Sequence, residues 1–349
     1  MSITAGYDIG GAHLKVALAE GGRTVAVRQI PCPLWRGVDA LDDSLAEADA
    51  LTARAGVHAA TMTGELCEAF TDRFAGVAAI LDRLEKLRGR DVRVWMGLRG
   101  MGSLDEARAH PLDVASTNFL ASAAWVSSRL PNALLIDMGS TTTDIIPIVG
   151  GKPNPRGLSD GDRLRTGELV YTGTTRSDVS TVARRARLDG IEQRLAAGSF
   201  ANMADVRRVL GTLPPDVDQH ATLDGRGKSR GESLERFARC FGRDASDAAD
   251  AAWMAAASDI AGQQMDDIAD AAKAVMQSAG LSGDMTLVAA GIGADEVARL
   301  ADQLGLPCIH FGELANASPD CTAWATHCAP ATALALIAAN AYSSEKRAE

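Results

Sequence analysis

Apolar residues in this chain fall into short runs that end at glycine turns. Ile3 and Tyr7 mark a strand that enters Asp8-Ile9-Gly10-Gly11, and Leu14 and Val16 mark the strand that returns. Leu134, Leu135 and Ile136 do the same before Asp137-Met138-Gly139, with Ile145 on the way back. Further strands are expected at 24–30, 57–62 and 92–96. A polar segment at 39–55 reads as a helix. Phe70, Phe74, Val77, Leu81 and Leu84 repeat at helical spacing behind Thr63, a candidate cap. Residues 111–129 fit one helix ending before Pro131, with Val114, Leu120, Ala121, Trp125 and Val126 on its apolar side.

Beyond the second hairpin, Arg184, Arg185 and Arg187 read as the solvated basic face of a helix. Residues 198–243 show the least regular pattern, which suits a lid or an exposed insertion. Residues 247–279 form a long alanine-rich helix with Trp253, Ile260, Ile268 and Val275 inward and Gly280 closing it. A strand at 285–289 enters the turn Gly291-Ile292-Gly293, another runs toward His310, and a small-residue helix at 330–341 closes the second lobe.

Composition narrows the class. With 349 residues and 46% hydrophobic content, the chain buries a sizeable core as one duplicated domain or two lobes. A net charge of -10 argues against nucleic acid or an anionic membrane surface as partner. Six cysteines without a Cys-x-x-Cys pair fit reduced thiols in a cytoplasm. No signal peptide opens the chain and no uninterrupted apolar run reaches the roughly 18 residues of a membrane span, so a cytoplasmic location and no membrane partner are expected.

The chemistry lies in the two hairpins. The separation of Asp8 from Lys15 equals that of Asp137 from Asp144. Glycine lets a backbone approach a ligand closely, and successive N–H groups in such a turn make a concave anion site. Gly10, Gly11, Gly139, Ser140, Thr141 and Thr142 are therefore candidate phosphate donors. Asp8, Asp137 and Asp144 beside a phosphate call for a hard cation, and Mg²⁺ with these three carboxylates is the expectation. Lys15 adds a fixed positive charge.

These paired loops resemble the phosphate loops of the sugar kinase, Hsp70 and actin superfamily, and 286–296 resembles its C-terminal glycine turn. The resemblance implies an α/β fold of duplicated ribonuclease H-like lobes with a cleft between them. The first lobe is expected at 1–132, and the second, with the helical insertion and the glycine turn, at 133–349. Gly291 and Gly293 join the implied phosphate or nucleoside contacts. Within the superfamily, Met62-Thr63-Gly64-Glu65-Leu66-Cys67 and Gly167-Glu168-Leu169-Val170-Tyr171-Thr172-Gly173, with both loops, resemble the hydantoinase/oxoprolinase-related proteins linked to tetrahydromethanopterin-dependent one-carbon metabolism and methanofuran biosynthesis.

That resemblance implies a transferase that displaces pyrophosphate from an aminomethylfuran diphosphate with the phenol of a glutamylated tyramine or tyrosine. Lys15 and Asp137 serve the leaving group, and Glu65 or Glu168 takes the phenol proton. The alternatives are an ATP-dependent kinase with ATP/ADP as cofactor and small molecules as partners, and a nucleotide-switched scaffold.

Several residues keep two readings. Thr63 and Glu65 are substrate contacts, or a helix cap and a first-turn acid. Asn118 is functional or a satisfied helix residue. Residues 171–176 offer donors to a polar substrate. Arg236, Arg239 and Arg243 face phosphate or form surface ion pairs. His220 with Asp224, and His327 between Cys321 and Cys328, supply too few ligands for a zinc site.

Overall fold

The computed structural model describes residues 3–348. Two mixed sheets share one topology. The first holds β1 (Thr4–Ile9), β2 (His13–Glu20), β3 (Arg23–Pro31), β4 (Val57–Met62), β5 (Arg93–Trp95) and β6 (Met101–Gly102), in the order β3-β2-β1-β4-β5-β6. The second holds β7 (Ala133–Met138), β8 (Thr143–Val149), β9 (Lys152–Pro153) and β10 (Leu169–Val170). After the small ribbon of β11 (Arg185–Leu188) and β12 (Ile191–Arg194), it is completed by β13 (Thr286–Ala290) and β14 (Cys308–His310), in the order β10-β8-β7-β13-β14 with β9 on β8. In each sheet a hairpin pairs antiparallel (β1 with β2, β7 with β8), and its first strand pairs parallel with a later one (β4, β13). This is the duplicated α/β ribonuclease H-like architecture expected from the paired loops.

β1 and β7 are buried along their whole length, as central strands covered on both faces must be. The cover over β1 comes from the last helix, Ala329–Ala348. A Cβ on Gly6 would stand 2.2 Å from the Ala331 carbonyl oxygen and 2.6 Å from the Ala335 nitrogen. The helix was expected to close the second lobe; instead its small residues let it lie on β1 and against the helix Asn118–Ser127, in a core that also takes Leu135, Ile146 and Val288 from the second sheet. Because the obstructing atoms are backbone, Gly6→Ala is expected to destabilise the protein by about 1–3 kcal/mol, read as a lower urea midpoint. An unchanged midpoint would show that the helix is free to move away from β1.

Four local expectations are revised. The helix placed after Thr63 begins at Arg73, capped by Asp72, which accepts from the Ala75 N–H at 2.9 Å; Phe74 points to solvent. Thr63 precedes a single 3-10 turn, Gly64–Leu66, pressed between Leu34 and the first loop. The 111–129 helix is broken into Pro111–Val114 and Asn118–Ser127 by Ser116, whose φ is +53°. Arg185 and Arg187 lie on β11, where they alternate with buried Ala186 and Leu188. The irregular 198–243 stretch contains two capped helices, Met203–Leu210 and Arg230–Arg239, whose Val206 and Phe237 share a core with Trp253 of the long helix Asp250–Ala279.

The insertion reaches back across the molecule. Gln29 of β3 donates to the Val217 carbonyl at 3.1 Å, and Gln219 returns a bond to the Gln29 carbonyl at 3.1 Å. No single helix among the described residues is long and apolar enough to cross a membrane. The bent pair Pro319–His327 and Ala329–Tyr342 passes on length and composition together, but Leu334 and Leu336 of that pair are buried against the sheets.

Candidate active site

The two hairpins make the same turn. The Gly10 N–H donates to the His13 carbonyl at 2.9 Å, and the Gly139 N–H donates to the Thr142 carbonyl at 2.9 Å. The strand registers place Asp8 opposite Lys15 and Asp137 opposite Asp144. Both turns open onto one cleft of about 310 Å³, whose wall includes Gly10, Gly11, Gly139, Ser140, Thr141 and Thr142. The early and middle loops thus come together in space.

Charge in the cleft is unevenly satisfied. Lys15 Nζ lies 3.6 Å from Asp8, and Asn118 donates to the same carboxylate at 3.4 Å. Burial nevertheless raises the Asp8 pKa, with Lys15 and Asn118 opposing it. Asp144 is held by Arg163 at 2.6 Å; Arg163 is itself buried with its guanidinium 3.7 Å from the Phe119 ring centroid. The Asp137 carboxylate has no hydrogen-bond partner among the described residues, although its backbone is paired in the sheet. Burial pushes its pKa up to about 7; Lys15 opposes the rise, and Asp144 and Asp8 add to it. The Lys15 pKa is pulled down by burial but ends raised, because Asp8, Cys328, Asp137 and Asp144 favour its charge.

The remaining candidates separate. Thr63 lines the cleft, and its N–H donates to the Ile9 carbonyl beside the first loop at 2.9 Å. Glu65 sits one layer behind the wall, 1% exposed. It accepts from Ser116 Oγ at 2.7 Å, while its Oε2 is buried without a partner. Ser116 does line the cleft. Glu168 is off the cleft; it accepts from the N–H groups of Arg156 and Gly157 at 2.6 and 2.9 Å and from Thr166 Oγ1 at 3.0 Å. That set of bonds makes it a loop staple, with no oxygen open to a substrate. Gly291 and Gly293 also stand off the cleft wall. A Cβ on Gly291 would meet the Met138 carbonyl oxygen at 2.3 Å and Asp137 Oδ1 at 2.5 Å, so the turn packs against the back of the second loop.

Residues 172–175 are buried and spend their donors on structure. Thr174 and Thr175 bind the Gly139 and Ser140 carbonyls through backbone N–H groups, and the segment is held from behind by Gln264 and Arg207. Only Tyr171 and Arg176 of that stretch face the cleft. Arg236 is fully buried against Asp205 and Asp224 at 2.8 and 3.0 Å, which settles it as an ion-pair residue of the insertion. Arg163, Ser116 and Asp160 line the cleft and were not singled out. Only the Ser159 cap of the helix Asp160–Thr166 hinted at the first and third; nothing local marks Ser116.

The carboxylates do not gather as a ligand cluster: among the described residues no three His, Cys, Asp or Glu side chains are placed to hold a metal. Asp144 is committed to Arg163. Asp8 and the unpartnered Asp137 remain on the cleft wall as hard oxygen donors. Mg²⁺ is ordinarily bound through one or two carboxylates, with substrate phosphates and water completing its shell, so this donor pair fits it.

Residues 56–331 match the family model described as Hydantoinase/oxoprolinase. The chain is 34% identical over 235 residues to a (4-{4-[2-(gamma-L-glutamylamino)ethyl]phenoxymethyl}furan-2-yl)methanamine synthase of Methanocaldococcus jannaschii, covering 67% of this chain and 70% of that protein. It is 34% identical over 118 residues to the synthase of the same name from Methanococcus vannielii, covering 34% and 53%. Among solved structures, a nucleotide-free acetone carboxylase superposes with a TM-score of 0.60 over 95% of this chain and 70% of the other at 12% identity, a likeness of fold.

Proposed function

The chain belongs to the hydantoinase/oxoprolinase family, and from that premise we propose that it is an enzyme of methanofuran-type cofactor biosynthesis that joins an aminomethylfuran diphosphate to a phenol. The observation that carries this reading is the pair of matched acidic glycine loops opening on one cleft with Lys15 between them. Such a site suits a diphosphate, and the synthase relatives supply the furan and the phenoxy group. In the reaction the phenolic oxygen forms a bond to the furylmethyl carbon as that carbon's bond to the diphosphate oxygen breaks. Pyrophosphate leaves, and the phenol proton goes to a base.

The Gly10 and Gly139 N–H groups close their turns, so the diphosphate is held and oriented by the N–H groups of Gly11 and of Ser140 to Thr142, and Lys15 meets the charge that grows on the leaving oxygen. Mg²⁺ bound at Asp8 and Asp137 would supply further neutralisation of that charge. The proton is taken at Ser116 Oγ, whose own proton passes to Glu65 Oε1, 2.7 Å away. Burial raises the Glu65 pKa, with the Ser116 hydrogen bond opposing it, so its basic form is lost as pH falls through a range above that of an ordinary carboxylate. Glu65→Gln is expected to lower turnover about 10²-fold and to make the acidic limb of the pH–rate profile less steep, since Asp137 still titrates there. Ser116→Ala is expected to give a similar loss. A Gln variant that keeps wild-type turnover and an acidic limb as steep as wild type's would take the relay out of the mechanism.

Incubation of the purified chain with a furylmethyl diphosphate, a glutamylated tyramine and Mg²⁺, run with and without ATP, tests the whole reading. Pyrophosphate release and ether formation without ATP are the expected result. ADP formed from ATP, with no pyrophosphate release from the furan, would replace it with phosphoryl transfer to an acceptor hydroxyl.

A further inference from the structure

Phosphate loops and relay account for the depth of the cleft but leave its mouth unexplained. Trp35, Leu66 and Tyr171 line it while 39%, 46% and 68% exposed. A diphosphate gains nothing from three large apolar surfaces, whereas an aryl ligand gains cover on each. The Trp35 ring is faced by the Arg176 guanidinium at 5.6 Å and by the His220 ring at 5.6 Å, and His220 lies 4.4 Å from the His13 ring. Trp35 and His13 belong to the first half of the chain; Arg176 and His220 belong to the second.

Arg176 differs from the other buried or cleft-lining arginines. Arg163 and Arg236 are each committed to acids. The Arg176 backbone N–H is tied to the Ser140 carbonyl at 2.8 Å, but its guanidinium has no carboxylate partner among the described residues. A guanidinium stacked on an indole is pre-oriented to receive a planar anion in bidentate fashion. His13, buried and with Nε2 unpartnered, stays neutral because burial pushes its pKa down to about 2, so it does not compete for that anion.

We propose that the mouth of the cleft is the acceptor subsite, taking a phenolic ring against Trp35, Leu66 and Tyr171 and a carboxylate on the acceptor's tail at Arg176. The assignment rests on the transferase reading above. It explains why apolar surface rims an otherwise polar site, and why one guanidinium there is left without an acid.

Calorimetric titration of the full chain with γ-glutamyltyramine, tyramine and pyrophosphate tests it. Wild type is expected to bind γ-glutamyltyramine about 10–100-fold more tightly than tyramine, and Arg176→Ala to abolish that ratio while Arg176→Lys keeps part of it. Trp35→Ala and Tyr171→Ala are expected to weaken both phenols about 3–10-fold, with pyrophosphate affinity unchanged in every variant. All three side chains are exposed or half-exposed, so the variants should fold. A ratio that persists in Arg176→Ala while pyrophosphate binding weakens would overturn the proposal and put the guanidinium on the leaving group. Wild type that binds pyrophosphate but neither phenol would also overturn it. The expected phenol ratio without any pyrophosphate binding would support the subsite and remove the transferase reading.

Discussion

Replacing Lys15 with methionine is expected to lower pyrophosphate release about 10²–10³-fold while leaving the fold intact. Among the described residues three cations line the cleft: Arg163 is committed to Asp144, Arg176 stacks over Trp35 at the mouth, and Lys15 pairs with Asp8. Lys15 alone of the three stands between the two acidic hairpins, 3.6 Å from Asp8; burial lowers its pKa, but Asp8 first, then Cys328, Asp137 and Asp144, leave it raised. Its charge is therefore present at neutral pH where a departing diphosphate needs it. Methionine keeps the stem volume and removes that charge. The Asp8 carboxyl, already raised in pKa by burial, would take up a proton when its partner is lost, which limits the damage to stability. Thermal melting controls for folding, and less than a threefold loss of pyrophosphate release would remove Lys15 from the chemistry.

Asp137→Asn should separate stability from activity. The wild-type carboxyl titrates at about 7 in the folded chain against 3.8 when freely solvated. Between those values the folded state binds more protons than the unfolded one, so this group's contribution to stability is complete below about pH 4, falls as pH rises toward 7, and stays lost above it. In chelator, the Asp137→Asn protein is expected to be more stable than wild type at pH 8, by an amount on the order of 2–4 kcal/mol, and to match it near pH 4. Turnover should fall at least about 10²-fold, since the variant loses an anionic oxygen on the cleft wall. Equal melting curves at pH 8 would mean that Asp137 is not held against its charge. A destabilising acid on the wall of a cleft is the usual mark of a group kept for a ligand.

The hairpin pair was legible because its signal is local: an acid, a glycine and a second charge at a fixed separation need no knowledge of the rest of the chain. The long helix Asp250–Ala279 was legible for the same reason, through alanine spacing and Gly280, which adopts φ +66°. Long-range partnerships left no such trace. Glu65 and Ser116 stand 51 residues apart and Arg163 reaches back 19 to Asp144, so neither pairing has a period or a motif. Some signals were present but outweighed. The alternation of Arg185-Ala186-Arg187-Leu188 is a strand pattern that its charges disguised as a helix face. Asn202 with Asp205, and Ser229 with Glu232, are reciprocal caps inside the stretch that read as irregular. Glu168 resembled Glu65 in its four-residue setting, yet backbone N–H groups claimed one and a cleft-facing hydroxyl the other.

The seating of Ala329–Ala348 on β1 bears on how the chain matures. Strands β1 and β2 leave the ribosome early, but the helix that covers Gly6 is made more than 300 residues later, a delay on the order of half a minute at ordinary rates of synthesis. Until then the face of β1 that carries Gly6 lacks the helix that packs on it. Assembly of the first half consequently waits for this helix, and a nascent chain halted before Ala329 should be captured by holding chaperones and cut by proteases at its first sheet.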